Sequence, residues 1–135
     1  MDGPLDLETS PDQKTPRRWK DKFGDAFRGL KLGVRGHSSF SVHFFFTALV
    51  VAMAVVFGCS AMEWCLLLGC IGIVITAELF NSALETIFRG LDEGTRPRVR
   101  NCLDIAAGAV LIASLTAALI GMIVFLNRLK QMLQA

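Results

Sequence analysis

The stretch IAAGAVLIASLTAALIGMIVFL, residues Ile105–Leu126, runs for 22 residues without a charged side chain. An α-helix rises roughly 1.5 Å per residue, so this stretch forms about 33 Å of helix, enough to cross a hydrocarbon core of about 30 Å. It predicts a membrane span at about residues 103–128. Small residues recur at every fourth position, a spacing that lets helices approach closely: Ala109, Ala113, Ala117 and Gly121.

Two further apolar stretches precede this one. The stretch Trp64–Ala77 is uncharged, and its helical pattern continues through polar residues to about Phe88, which predicts a span at 62–88. The 18 residues Phe40–Phe57 carry no formal charge apart from that of a protonated His43, which predicts a span at about 40–59. Glycines and a proline between residues 89 and 103 predict a turn between the second and third spans.

The N-terminal part of the chain differs from the spans. Residues 1–16 are rich in proline and acidic side chains and show no apolar period, so we expect a disordered tail and a membrane domain at 17–135. Apolar residues then recur at helical spacing among basic ones, which predicts an amphipathic surface helix at 18–36. That apolar face consists of Trp19, Phe23, Phe27, Leu30 and Val34.

Composition agrees with an all-α integral membrane protein. Hydrophobic residues make up 53% of the 135-residue chain and charged residues 19%, against about 25% in soluble domains. Mean hydropathy is +0.49. The net charge of +2 gives no basic field for nucleic acid, so no nucleic-acid partner is expected.

Basic residues indicate how the spans are oriented. Twelve of the 14 Lys and Arg residues precede the first span or lie between the second and third, and only Arg128 and Lys130 lie on the other side. The positive-inside rule therefore predicts a cytoplasmic N-terminus, a cytoplasmic 89–103 loop and a C-terminus outside.

The second span ends in polar residues at positions i, i+3 and i+7, which share one helix face: Glu78, Asn81 and Glu85. Carboxylates this close to hydrocarbon are costly and indicate a protein interior, water or a metal. They could share a divalent cation, position a phosphate–metal complex, or divide the work of base and ligand. The alternative is that Glu85 pairs with Arg89 at i+4, while Glu78 snorkels or is protonated.

Other catalytic motifs are missing from the sequence. It has no GxxxxGK[ST] loop, no GxGxxG loop and no GxSxG elbow, which excludes the common nucleotide-binding and hydrolase signatures. His37 and His43 flank the start of the first span, where we interpret them as interfacial anchors.

The segment AELFNSALETIFRGLD, Ala77–Asp92, resembles the signature E-x-x-N-[ST]-A-x-E of the prokaryotic diacylglycerol kinase family. These are small integral-membrane lipid kinases that include undecaprenol kinases. Three weaker similarities follow in the family's order: FGDAFRGLKLG (Phe23–Gly33) to its surface helix, SFSVH (Ser39–His43) to its entry into span one, and DIAAGAVL (Asp104–Leu111) to its third span. The resemblance covers about residues 18–126.

The resemblance implies a surface helix and three spans that assemble as a homotrimer with sites between subunits, in the inner membrane of a bacterium. It implies transfer of the γ-phosphate of ATP, with Mg²⁺, to a lipid hydroxyl. Diacylglycerol is the leading acceptor and undecaprenol the second. The resemblance makes Glu78 the general base, Asn81 a polar orienting residue, Glu85 a metal ligand, and Asp104 a nucleotide-site residue.

Three positions depart from the family pattern. His37 stands where the family has a second metal-binding Glu, Leu103 replaces a Lys, and Arg89 replaces an acidic residue. We expect His37 to be the second metal ligand, and Arg100 in particular, or Arg89, to face the ATP phosphates in place of the missing Lys. The rival hypothesis is a catalytically inactive membrane oligomer of the same fold.

Overall fold

The computed structural model describes residues 18–35 and 39–134. Within these ranges the chain forms helices and no strand: α1 (Trp19–Arg35), α2 (Ser39–Val56), α3 (Ala61–Arg89) and α4 (Arg96–Leu133). The prediction of an all-α chain is confirmed for these residues. The predicted tail at 1–16 and His37 lie outside the described residues.

The helices α3 and α4 form an antiparallel hairpin with the most extensive helix–helix contact of the described chain. At the turn, Arg96 in α4 donates from Nη2 to the backbone carbonyl of Arg89, 3.0 Å away. At the open end, Arg128 Nε lies 2.8 Å from Glu63 Oε2. Since these contacts join the start of each helix to the end of the other, the two helices are aligned along their length.

The turn between α3 and α4 is shorter than the sequence indicated. It occupies residues 90–95, and α4 begins at Arg96, seven residues before the predicted span. Pro97 lies in the first turn of α4, where a missing N–H costs nothing. Asp92 accepts hydrogen bonds from the Thr95 hydroxyl and backbone N–H, each 2.8 Å long, and these bonds lower the pKa of Asp92 below its ordinary value.

A tight turn joins α2 to α3, and Gly58 in it adopts a φ of +58°, the left-handed region that glycine tolerates best. The helices run antiparallel, so the end of α2 meets the start of α3. There Ala54, Leu67 and Val124 form a small buried cluster shared by α2, α3 and α4. The start of α2 consequently lies beside the later turns of α3.

By length and composition, α3 and α4 are the helices of the described chain that suffice to cross a membrane. Only 22% and 11% of their most apolar 18-residue stretches are buried within the chain, so they are not core helices of a soluble domain. The apolar part of α2, Phe40–Val56, is shorter. The first span, predicted at about 40–59, and the homotrimer therefore stay predictions.

The surface helix is present as α1, and it contacts α3. A Cβ atom added at Gly33 would lie 2.7 Å from Leu79 Cδ2, so α1 reaches α3 directly beside Glu78. The predicted aromatic face stays exposed, with Trp19 at 73% and Phe27 at 71%. This leaves an apolar surface next to the polar part of α3.

Candidate functional site

The polar residues buried in the described chain are Glu78 and Ser82, at 3% and 2% exposure. They lie four residues apart on α3 and therefore on the same face. The Ser82 hydroxyl has no hydrogen-bond partner within the described residues. Glu78 does not snorkel to water, which was one of the alternatives that the sequence left open. A buried carboxylate and an unpartnered hydroxyl on one face are a costly arrangement that a structural role does not explain.

His43 on α2 faces Glu78 across the helix interface. Its Nε2 lies 3.7 Å from Glu78 Oε2, a distance suited to an ion pair and longer than a hydrogen bond. The imidazole side chain is 19% exposed. His43 therefore contacts the polar face of α3, and its role as an interfacial anchor stays a prediction. A histidine inside an apolar run was the signal available in the sequence, since such a residue is costly without a partner.

The second half of the polar face is a short hydrogen-bonded chain along α3. Asn81 donates from Nδ2 to Glu85 Oε1 at 3.1 Å, and Arg89 Nη2 lies 3.3 Å from Glu85 Oε2. The Glu85–Arg89 pair is the i, i+4 alternative considered from the sequence, and here it coexists with the shared polar face. Arg89 is thus drawn toward a carboxylate, which lowers its availability for phosphate.

The oxygen atoms of the polar face of α3 could supply only part of the coordination of a hard cation such as Mg²⁺. Within residues 18–35 and 39–134, no three His, Cys, Asp or Glu side chains gather closely enough to hold a metal ion. The second predicted ligand, His37, lies outside those ranges. Mg²⁺ keeps several waters and takes one or two carboxylates together with substrate phosphates. The half-buried carboxylate of Glu85 beside the Asn81 amide fits that pattern.

The predicted nucleotide-site residues lie at the start of α4. Arg100 and Asp104 are both exposed and stand one helical turn apart, because α4 begins at Arg96. Arg96 was missed from the sequence. One of its nitrogens holds the end of α3, while its buried Nε has no partner in the described chain. Pro97 marks a helix N-terminus and was the sequence signal that would have included Arg96 and Arg100 in α4.

An apolar groove of about 630 Å³ runs between α2, α3 and α4. His43 and Val42 lie at one end, while Met53, Leu67 and Phe125 line the other. The imidazole therefore contacts the groove as well as facing Glu78. The groove offers an apolar space that begins next to the buried carboxylate.

Comparison with known proteins identifies the family of the chain. A model of the family described as prokaryotic diacylglycerol kinase matches residues 24–125. An undecaprenol kinase from Bacillus subtilis (strain 168) is 28% identical over 112 residues, which are 83% of this chain and 91% of that protein. No solved structure matches the chain significantly. The family match spans most of the sequence and includes the polar face of α3, so the chain belongs to the prokaryotic diacylglycerol kinase family.

Proposed function

We propose that this protein transfers the γ-phosphate of ATP to the hydroxyl of a membrane lipid alcohol. The observation that carries the proposal is the buried Glu78 carboxylate, which faces His43 on one side and is followed by Asn81 and Glu85 along α3. Membership in a lipid kinase family supports the reaction class.

Glu78 acts as the general base in this proposal. The O–H bond of the lipid hydroxyl breaks and its proton passes to the Glu78 carboxylate, while the hydroxyl oxygen forms a bond to the γ-phosphorus. The bond between the γ-phosphorus and the bridging oxygen breaks, and ADP leaves with that electron pair. A positioned base of this kind contributes roughly 10²- to 10⁴-fold to a rate.

In this proposal Glu85 contributes to binding of the nucleotide and its metal. Its carboxylate would hold Mg²⁺ together with the ATP phosphates, and Asn81 fixes its orientation through the 3.1 Å hydrogen bond. When bound, the metal supplies charge neutralisation at the phosphates. Replacing Glu85 with Gln removes one hard oxygen ligand, so we expect the KM for Mg²⁺–ATP to rise roughly tenfold while kcat falls less than in Glu78→Gln. Equal loss of nucleotide affinity in both variants would contradict this division of roles.

Cations at the start of α4 complete the phosphate site. Leu103 has no charge to offer, and Arg89 is paired with Glu85. Arg100 is exposed on α4, one turn before Asp104, and it is the residue we propose to face the ATP phosphates. Asp104 is proposed to contact the nucleotide from the same helix.

Undecaprenol is the first acceptor to test, because the undecaprenol kinase relative matches over 91% of its length. Diacylglycerol is the second, favoured by the description of the matching family. The apolar groove that begins at His43 supports either choice, since it offers the lipid tail a path away from Glu78.

The proposed setting is the inner membrane of a bacterium, with α2, α3 and α4 as spans and three copies in the assembly. The exposed apolar residues of all three helices support this arrangement. The basic residues support a cytoplasmic N-terminus and a C-terminus outside. A C-terminal reporter that is active only in the cytoplasm would contradict the orientation.

The function is tested with purified protein in detergent micelles, labelled ATP, Mg²⁺ and one acceptor at a time. We expect labelled lipid phosphate with undecaprenol or diacylglycerol, and none with Glu78→Gln prepared in parallel. If the unmodified chain labels no acceptor across a panel of polyprenols and diacylglycerols, the kinase proposal is wrong and the inactive-oligomer hypothesis takes its place.

A further inference from the structure

We propose that His43 is a positioning residue for Glu78, holding the buried carboxylate oriented toward the lipid hydroxyl. The proposal rests on the lipid kinase activity proposed above. It starts from the geometry across the α2–α3 interface, where the imidazole Nε2 lies 3.7 Å from Glu78 Oε2.

Because the Glu78 carboxylate is buried, it needs a contact such as that with His43 to act as a base. An ionised carboxylate in an apolar interior needs an opposite charge or a donor beside it, because desolvation is otherwise uncompensated. Glu78 is 3% exposed, and His43 supplies its ion-pair partner within the described residues. The side chain one turn further, Ser82, brings only a neutral hydroxyl to the same face.

The direction of the contact matters as much as its charge. His43 approaches Glu78 from α2, and the 3.7 Å between Nε2 and Oε2 places the imidazole beside that oxygen of the carboxylate. His43 therefore acts on the reaction through Glu78.

The groove makes a chemical test feasible. Replacing His43 with Gly deletes the imidazole at the mouth of the 630 Å³ groove, and free imidazole can enter the space that is left. We expect kcat to fall roughly ten- to a hundredfold with the KM for ATP nearly unchanged, because losing an orienting partner typically costs that much. Added imidazole should then raise kcat of the variant by about fivefold or more.

The matched control is Ser41→Gly, an exposed α2 residue two positions earlier. It should keep wild-type kcat and show no response to imidazole. Should His43→Gly not yield folded protein, two variants of similar size carry the test: His43→Gln keeps a donor and His43→Leu does not. We expect kcat of the Gln variant to be about tenfold the higher of the two.

The outcomes separate the two proposals. No phosphate transfer by the unmodified chain overturns both, since a base then has nothing to act on. Transfer by the unmodified chain, together with unchanged kcat in His43→Gly or with no response of that variant to imidazole, overturns the role of His43 alone. Equal kcat in the Gln and Leu variants does the same.

Discussion

The two ends of α3 both carry acidic residues, but the partners of these residues differ between the two ends. At the first end Ser60 and Glu63 form a capping box, with Glu63 Oε2 2.7 Å from the backbone nitrogen of Ser60. Arg128 of α4 then contacts both oxygens of Glu63. Each of these contacts either caps the start of α3 or joins α3 to α4.

At the other end the polar groups are deeper and less well satisfied. Glu78 meets His43 at ion-pair distance, and the Ser82 hydroxyl has no partner within the described residues. The first arrangement is that of a structural contact, and the second leaves polar groups that the proposed function assigns to a substrate. The comparison suggests that stability and activity are assigned to different ends of one helix.

The largest expected difference between the two ends of α3 follows from neutralising one acidic residue at each end. Glu78→Gln should lower kcat for lipid phosphorylation by about a hundredfold or more with nucleotide binding nearly intact, because a base acts on the hydroxyl in the transition state. Glu63→Gln should keep kcat within about twofold, since it lies far along α3 from the reaction. Labelled-ATP assays and nucleotide titrations of both proteins measure this. A similar loss of kcat in both would remove the distinction.

Arginines extend the comparison to α4, with Arg100 near the start of the helix and Arg128 near its end. Arg100→Ala should raise the KM for ATP roughly tenfold, because a phosphate-facing charge is lost. Arg128→Ala should leave that KM unchanged. Leu103→Lys in the Arg100→Ala background should lower the KM again. If neither Arg100→Ala nor Arg89→Ala raises the KM, the compensation for the missing Lys does not exist.

Thermal unfolding midpoints test whether the first end of α3 contributes more to stability than the second. Glu63→Gln should lower the unfolding midpoint, since it weakens both the capping box and the contact with Arg128. Glu78→Gln should lower the midpoint less, because the Gln amide oxygen can still face the His43 imidazole while the desolvated charge is removed. Intrinsic fluorescence of the two tryptophans, Trp19 and Trp64, follows both transitions in detergent. A lower midpoint for Glu78→Gln than for Glu63→Gln would contradict this assignment.

The smallest expected effect concerns the turn that leads into the structural end. Gly58→Ala should destabilise the protein by about 1 kcal/mol, because a Cβ has open space there but φ is +58°. Gly72→Ala is the matched control, since its Cβ also meets open space and it lies within α3. The control should be neutral or slightly stabilising. Equal shifts in the two unfolding midpoints would show that backbone conformation is not the cause.

The sequence was most informative where a pattern repeats. The apolar runs predicted α3 and α4, and the spacing of Glu78, Asn81 and Glu85 predicted their common face. It was least informative for contacts between distant residues. His43 carries no periodic signal, and only the antiparallel register of α2 and α3 brings it to Glu78.

Helix ends were difficult for a related reason. The span criterion counts uncharged residues and therefore stopped at about residue 103, whereas α4 continues to Arg96. A helix that leaves the membrane keeps its hydrogen bonds while its side chains become polar. The hydropathy of a segment depends on whether its side chains face lipid or water. The start of the α4 backbone is set instead by Pro97 and by the contact of Arg96 with the end of α3.

The unequal lengths of the helices connect the site to the bilayer. The uncharged part of α4 spans about 33 Å and the 18 residues of α2 only about 27 Å, so no single membrane thickness matches both. A long helix responds to a thin bilayer by tilting. Contacts at both ends tie α4 to α3, so a tilt of one helix would involve the other, while α2 packs against both through the Ala54, Leu67 and Val124 cluster. In the proposed membrane setting, we expect acyl-chain length in the surrounding lipid to act on the geometry of the Glu78–His43 pair.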